Sequence, residues 1–209
     1  MSNTSSKSTD LPPVIGITGG IGSGKSLVCK IFRNLGIPVF EADQVAKSLY
    51  RTDPALKEGL IHLFGSGVLD PAGEVDRKYL AALIFSDKEA LEQVNRLVHP
   101  CVREAFVKWR HTQTAPYVLH EAAILFESGF YRMMDATILV VAPEEMRIRR
   151  VAERDHLSRE SVIARMKNQW PDSRKIKLAD YLIVNDESRL IIEQIMDIDQ
   201  KIKAHGKFC

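Results

Sequence analysis

No apolar run in the 209-residue chain approaches the length a bilayer demands. The longest strand-like one, residues 136–142, is far short of the roughly 20 residues of a membrane-spanning helix. Cysteine is scarce. Cys29, Cys101 and Cys209 are odd in number and widely spaced, so they suggest neither a disulfide framework nor a Cys-x-x-Cys metal site, and a reducing cytoplasm fits best. Charge of either sign is nearly balanced. A formal net charge of +2 is too small to call for a polyanion, which argues against nucleic-acid binding. Residues 1–10 are polar and lack the apolar stretch of a secretory signal, so 1–11 is expected to be a disordered tail. What remains is 45% hydrophobic and 27% charged, enough to bury a core in one compact domain over 12–209.

Against these absences, residues 14–26 read Val-Ile-Gly-Ile-Thr-Gly-Gly-Ile-Gly-Ser-Gly-Lys-Ser. A short apolar run leads into Gly19-x4-Gly24-Lys25-Ser26, the spacing of a P-loop. The glycines allow successive backbone N–H groups of Gly20, Ile21, Gly22, Ser23 and Gly24 to turn toward phosphate oxygens. Lys25 has the reach for the β and γ oxygens, and the Ser26 hydroxyl suits Mg²⁺. Leu27, Val28, Ile31, Phe32 and Leu35 then make a helical stripe that Gly36 ends.

Apolar strand candidates recur at 14–18, 37–40, 117–120, 136–141 and 181–184 with helical stretches between them, which predicts an α/β fold with a parallel sheet of about five strands. Its ligand should lie beyond the carboxyl ends of the strands. About 75 residues separate the second strand from the third, far more than a crossover needs, so a helical insertion is expected there. In it, Ser86 is the expected N-cap of a long helix that Pro100 should kink or split. Residues 147–177 carry ten Lys and Arg against four Asp and Glu. Such a run reads either as a solvated helix face or as an Arg-rich lid that stabilises a transferring phosphoryl group.

Several acids and histidines have two readings. Asp43, just past the second strand, is either the group that aims an acceptor hydroxyl or a helix N-cap. Glu121 follows a strand as the acid of a loose Walker B element would, with an indirect Mg²⁺ contact. His120-Glu121 also starts like a zinc-binding H-E-x-x-H, but Ile124 occupies the second histidine position. Glu127 faces substrate or solvent. His99, beside Pro100 and one turn before Arg103, shapes a ligand site or rests partly buried. Asp70-Pro-Ala-Gly73 matches the Asp-x-x-Gly of GTPases, but no Asn-Lys-x-Asp accompanies it.

Taken together, these residues resemble the dephospho-coenzyme A kinases over about residues 13–201. The carriers are the P-loop, Glu41-Ala-Asp43 in place of Asp-Ala-Asp, Val98-His-Pro100 with Arg103, Ile124-Leu-Phe-Glu-Ser128, Arg149-Arg150-x3-Arg154-Asp155 and Arg165-x3-Gln169. Leu27 departs from the Thr usual after Lys-Ser, and Glu121 and Ala123 from an Asp and a Pro. The resemblance implies a three-layer α/β/α P-loop kinase fold with core 12–50, 115–147 and 178–205, an acceptor subdomain at about 51–114 and a lid at about 148–177. It implies Mg²⁺ with ATP as co-substrate and dephospho-coenzyme A as acceptor. Lys25, Asp43 and Arg150 would be catalytic; the loop residues through Leu27, with Arg154 and Asn185, would hold ATP. Asp43, Arg77, His99, Arg103 and Glu127 would contact the acceptor, and Ser26 with Glu121, through water, the metal. The expected assembly is a monomer or weak homo-oligomer, with no membrane or nucleic-acid partner.

Overall fold

The structure, a computed structural model, describes residues 11–205. The tail expected at 1–11, Leu11 apart, and Cys209 lie outside the described residues. Two compact units emerge, one formed by 1–40 with 110–209 and the other by 41–109.

The chain order is β1 (Val14–Gly19), α1 (Lys25–Asn34), β2 (Val39–Glu41), α2 (Ala42–Thr52), α3 (Pro54–Phe64), α4 (Arg77–Ser86), α5 (Lys88–His111), β3 (Val118–Glu121), β4 (Ala136–Val141), α6 (Glu144–Asp155), α7 (Arg159–Met166), α8 (Asp172–Ile176), β5 (Tyr181–Val184) and α9 (Ile191–His205). The five strands anticipated from the sequence are present and form one sheet in the order β2-β3-β1-β4-β5. Parallel registers join β1 to β3 and β4, and β4 to β5. Every β1 residue is buried. A strand covered on both faces has no polar side to alternate with, which is why its sequence reads as a nearly unbroken apolar run.

In the first unit, Ile15 and Ile17 of β1, Val28, Cys29 and Phe32 of α1, and Ile195, Ile198 and Ile202 of α9 share one core. Gly36, at φ +81°, turns the chain out of α1 as expected. A smaller cluster of Ile148, Val151 and Val162 joins α6 to α7, and the side chain of Ile21 packs against it. Among the described residues, no helix is long and apolar enough to cross a membrane.

In the second unit, α5 differs from its expectation at two points. It runs unbroken through Pro100, because Val94, Val98, Val102 and Phe106 bury one continuous stripe on both sides of the proline. Its cap is Asp87, not Ser86, which is the last residue of α4: Asp87 Oδ1 accepts the N–H groups of Glu89 at 2.8 Å and Ala90 at 3.2 Å.

His120 sits in β3 with 2% of its surface exposed, between the rings of Phe40 at 5.4 Å and Phe130 at 5.3 Å. Burial pushes its pKa down from 6.5 to about 4. The folded state therefore keeps the imidazole neutral where the unfolded chain protonates it, so stability is lost as pH falls through 6.5 toward 4. Denaturant titrations should find a loss of about 2 kcal/mol from this group between about pH 7.5 and about pH 5. The variant His120→Phe should flatten that part of the pH profile, and an unchanged slope would contradict the assignment.

Candidate active site

The loop after β1 opens at the carboxyl edge of the central strand, where β1 is flanked by β3 and β4. Gly22 and Gly24 adopt φ of +80° and +93°, a left-handed backbone that side chains disfavour. A Cβ on Gly24 would also collide with the Asn185 amide, and one on Gly20 with the Arg147 guanidinium. The glycines thus serve both backbone shape and close packing. Ser23 N–H bonds back to Gly20 C=O at 3.0 Å, and Lys25 begins α1, with Ser26 and Leu27 exposed on its first turn.

Ile21 is held by side chains at both ends of its peptide. Gln169 Oε1 accepts its N–H at 2.8 Å, and Arg147 Nε donates to its C=O at 2.9 Å. Gln169 Nε2 continues to Ala123 C=O at 3.0 Å, and Arg147 Nη1 to Asp172 at 2.9 Å. From the opposite side Asn185, itself 7% exposed, donates Nδ2 to Ser23 C=O at 2.8 Å. Its backbone N–H bonds to Val141 C=O at 2.8 Å, which fixes Asn185 just beyond β5.

The register that pairs Ile17 with Glu121 brings the end of β3 beside the start of the loop. There the Lys25 ammonium and Glu121 carboxylate form an ion pair with 14% and 12% of their side chains exposed. The acid proposed for a Walker B position is therefore in contact with the P-loop lysine. Ser26 and Glu121 offer the hard oxygen donors that Mg²⁺ takes. No cluster of three or more His, Cys, Asp or Glu able to hold a metal occurs among the described residues. That donor set fits a cation carried mainly by nucleotide phosphates rather than a protein cage.

Glu127 is turned inward rather than toward solvent. Its Oε1 accepts Trp170 N–H at 2.9 Å and lies 3.1 Å from the ammonium of Lys175, which is completely buried. Arg150 is partly buried against the loop after β5, reaching Asn185 C=O at 3.3 Å and Glu187 at 3.1 Å. Arg154 is exposed and bonds to neighbouring Asp155 at 2.7 Å. The first unit thus gathers the loop, Glu121, Glu127, Arg150 and Asn185, while Arg154 is engaged with its neighbour at the end of α6.

Asp43, Arg77, His99 and Arg103 belong to the second unit. Glu41 occupies the N-cap position of α2 and Asp43 lies inside the first turn, so capping does not account for Asp43. Arg77 opens α4 behind the Asp76 cap. His99 and Arg103 are one turn apart on α5, and burial, with the Arg103 charge second, lowers the His99 pKa. Asp70 has a local role: its Oδ1 accepts Ala72 and Glu74 N–H groups at 2.9 Å each, so Asp70-x-x-Gly73 is a turn.

Sequence reasoning gave no role to Arg147, Gln169 or Lys175. Arg147 and Lys175 were members of a charged run, and nothing in their spacing marked them for burial. Gln169 did carry a signal, as the last residue of Arg165-x3-Gln169.

The family model for dephospho-CoA kinase matches residues 13–190. A dephospho-CoA kinase of Chlorobaculum tepidum is 43% identical over 196 residues, 88% of this chain and 94% of the relative. Among solved structures, a crystallised Thermus thermophilus protein superimposes with a TM-score of 0.84 at 38% identity, covering 92% of this chain and 98% of that one. The dephospho-CoA kinase from Campylobacter jejuni gives 0.65 at 27% identity with the same coverage, 92% and 98%.

Removing the Lys175 charge should leave Glu127 buried without its cation. Lys175→Met is expected to cost about 3–5 kcal/mol in guanidinium unfolding. Adding Glu127→Gln should recover most of the loss, since the amide oxygen still accepts Trp170 N–H while the buried charge is gone. A double variant no more stable than the single one would refute the pairing.

Proposed function

The chain belongs to the dephospho-CoA kinase family, and from that membership we infer that it transfers the γ-phosphoryl group of ATP to the ribose 3′-hydroxyl of dephospho-CoA, giving CoA and ADP. The observation that carries this reading is the glycine cradle after β1, with Lys25 beside Glu121, in a chain that the family covers almost from end to end.

The chemistry asks little covalent work of the protein. Phosphoryl transfer passes through a loose transition state, so alignment and charge stabilisation supply most of the rate. The N–H groups of residues 20–26 cradle the β- and γ-phosphates, and Lys25 leaves Glu121 to follow the γ oxygens. Ser26 and, by way of water, Glu121 would hold the Mg²⁺ that comes with the nucleotide, and its positive charge would offset the negative charge of the phosphates. Asp43 accepts the proton of the acceptor hydroxyl and aims its oxygen at phosphorus. Arg150 and Arg154 add positive charge from α6, and closure of about 148–177 excludes water that would otherwise hydrolyse ATP. Arg77, His99 and Arg103 contact the acceptor from the second unit. Asn185 and Glu127 support the reading differently: Asn185 braces the cradle through Ser23 C=O, and Glu127 braces the root of the lid through Trp170 N–H. The enzyme works in the cytoplasm as a monomer or weak homo-oligomer.

Mass spectrometry after incubation with Mg-ATP and dephospho-CoA should find CoA. Lys25→Ala should lower turnover by about 100-fold or more, as expected for loss of a group that stabilises transition-state charge. Asp43→Asn should reduce kcat by about 10²–10⁴-fold with little change in the KM for ATP. Full turnover by Asp43→Asn would remove Asp43 from the chemistry.

A further inference from the structure

The second unit holds a groove of about 350 Å³ lined by Gln44, Lys47, Ser48, Tyr50, Arg51, Glu74, Val75 and Arg77. Three of these are cations and one is an acid. Glu74 is drawn to Lys57, 3.8 Å away and outside the lining, which further weakens its claim on the three. Gln44, Lys47, Ser48 and Arg51 recur at i, i+3, i+4 and i+7, so α2 presents them as one stripe. Arg77, at the start of α4, faces that stripe across the groove.

Asp43 stands one turn before Lys47, and Lys47 one turn before Arg51. Each step advances about 6 Å along the helix axis. A ribose presents its 3′-oxygen and its 5′-phosphates at opposite ends, a separation comparable with one such step. A hydroxyl at Asp43 therefore leaves the 5′ side of the same nucleoside beside Lys47 and Arg51. Resting on the acceptor assignment made above, we propose that Lys47, Arg51 and Arg77 form the subsite for the acceptor's 5′-diphosphate, with Asp43 at the head of the same helical face taking its 3′-hydroxyl. Arginine forks and the lysine point charge suit a diphosphate, whose two phosphoryl groups offer oxygens to several donors at once. The polar environment is already tuned by charge: burial raises the Tyr50 hydroxyl pKa while the Arg77 guanidinium pulls it back. The groove thus acts as a ruler, setting which hydroxyl of a nucleoside diphosphate reaches the acid.

The test is steady-state kinetics with Mg-ATP and dephospho-CoA on the full chain. Lys47→Gln and Arg51→Gln, both exposed on α2, should raise the KM for dephospho-CoA about tenfold or more each, as expected for loss of a charge-assisted hydrogen bond. The KM for ATP should stay within about twofold. Lys47→Arg should retain near-normal KM because the charge persists, and Lys108→Gln, which removes an exposed cation of α5 paired with Glu104 outside the groove, should shift nothing. Unchanged KM for dephospho-CoA in Lys47→Gln and Arg51→Gln, with an active wild type, overturns the diphosphate subsite alone. Equal losses in Lys108→Gln overturn it as well, by reducing the effect to general charge. A wild type that makes no CoA overturns the reaction on which the proposal rests.

Discussion

The peptide of Ile21 is the point on which the first unit's geometry turns. A phosphate cradle needs backbone N–H groups aimed outward into one concavity, and a glycine-rich loop free in solution samples too many conformations to keep them there. Here Gln169 takes the N–H of Ile21 and Arg147 takes its C=O, so the plane of one peptide in the loop is fixed from both sides. Asn185 then secures Ser23 from the far wall. All three partners, one acceptor and two donors, are side chains from segments more than 120 residues away in sequence. The loop's shape is therefore a tertiary property, although its flexibility is local.

The same contacts connect the α6–α7 segment to the P-loop. Arg147 lies near the start of α6 and Gln169 just past α7, so both roots of the segment between them rest on Ile21, whose side chain packs into that segment's own small core. Movement of α6 and α7 cannot leave the loop indifferent. Any displacement of these helices would have to preserve or exchange those bonds, which links the α6–α7 segment mechanically to the loop.

Buried charge is used in matched pairs. Lys175 with Glu127, Arg147 with Asp172 and Lys25 with Glu121 each set a cation against an acid at low exposure. A lone charge at any of these places would meet a desolvation penalty that its partner offsets. The first two pairs also engage backbone groups, Trp170 N–H and Ile21 C=O, so they fix chain direction as well as neutralising charge. The third differs in position, since its lysine belongs to the P-loop itself and a triphosphate would compete with Glu121 for it.

Much was legible in the sequence because its signals were local. The five strands are where apolar runs placed them, Gly36 ends α1, and Gly19-x4-Gly24-Lys25-Ser26 forms the loop its spacing announces. The kink or break expected at Pro100 failed because proline propensity is local, whereas the stripe from Val94 to Phe106 is bound by packing on both sides of it. The cap expected at Ser86 failed by one residue because α4 runs through Ser86, which leaves Asp87 as the extended residue ahead of α5. Charge burial was invisible: Arg147, Asp172 and Lys175 look in sequence like any solvated run, and only packing against Ile21, Trp170 and Glu127 takes them out of water. Thus the chain's spacing by itself determined an α/β sheet and a phosphate-binding loop, and its ordered motifs carried the resemblance to a family. Tertiary structure alone decided which side chains hold that loop still, because a hydrogen bond between residues 21 and 169 depends on where two segments meet, and no periodicity records that.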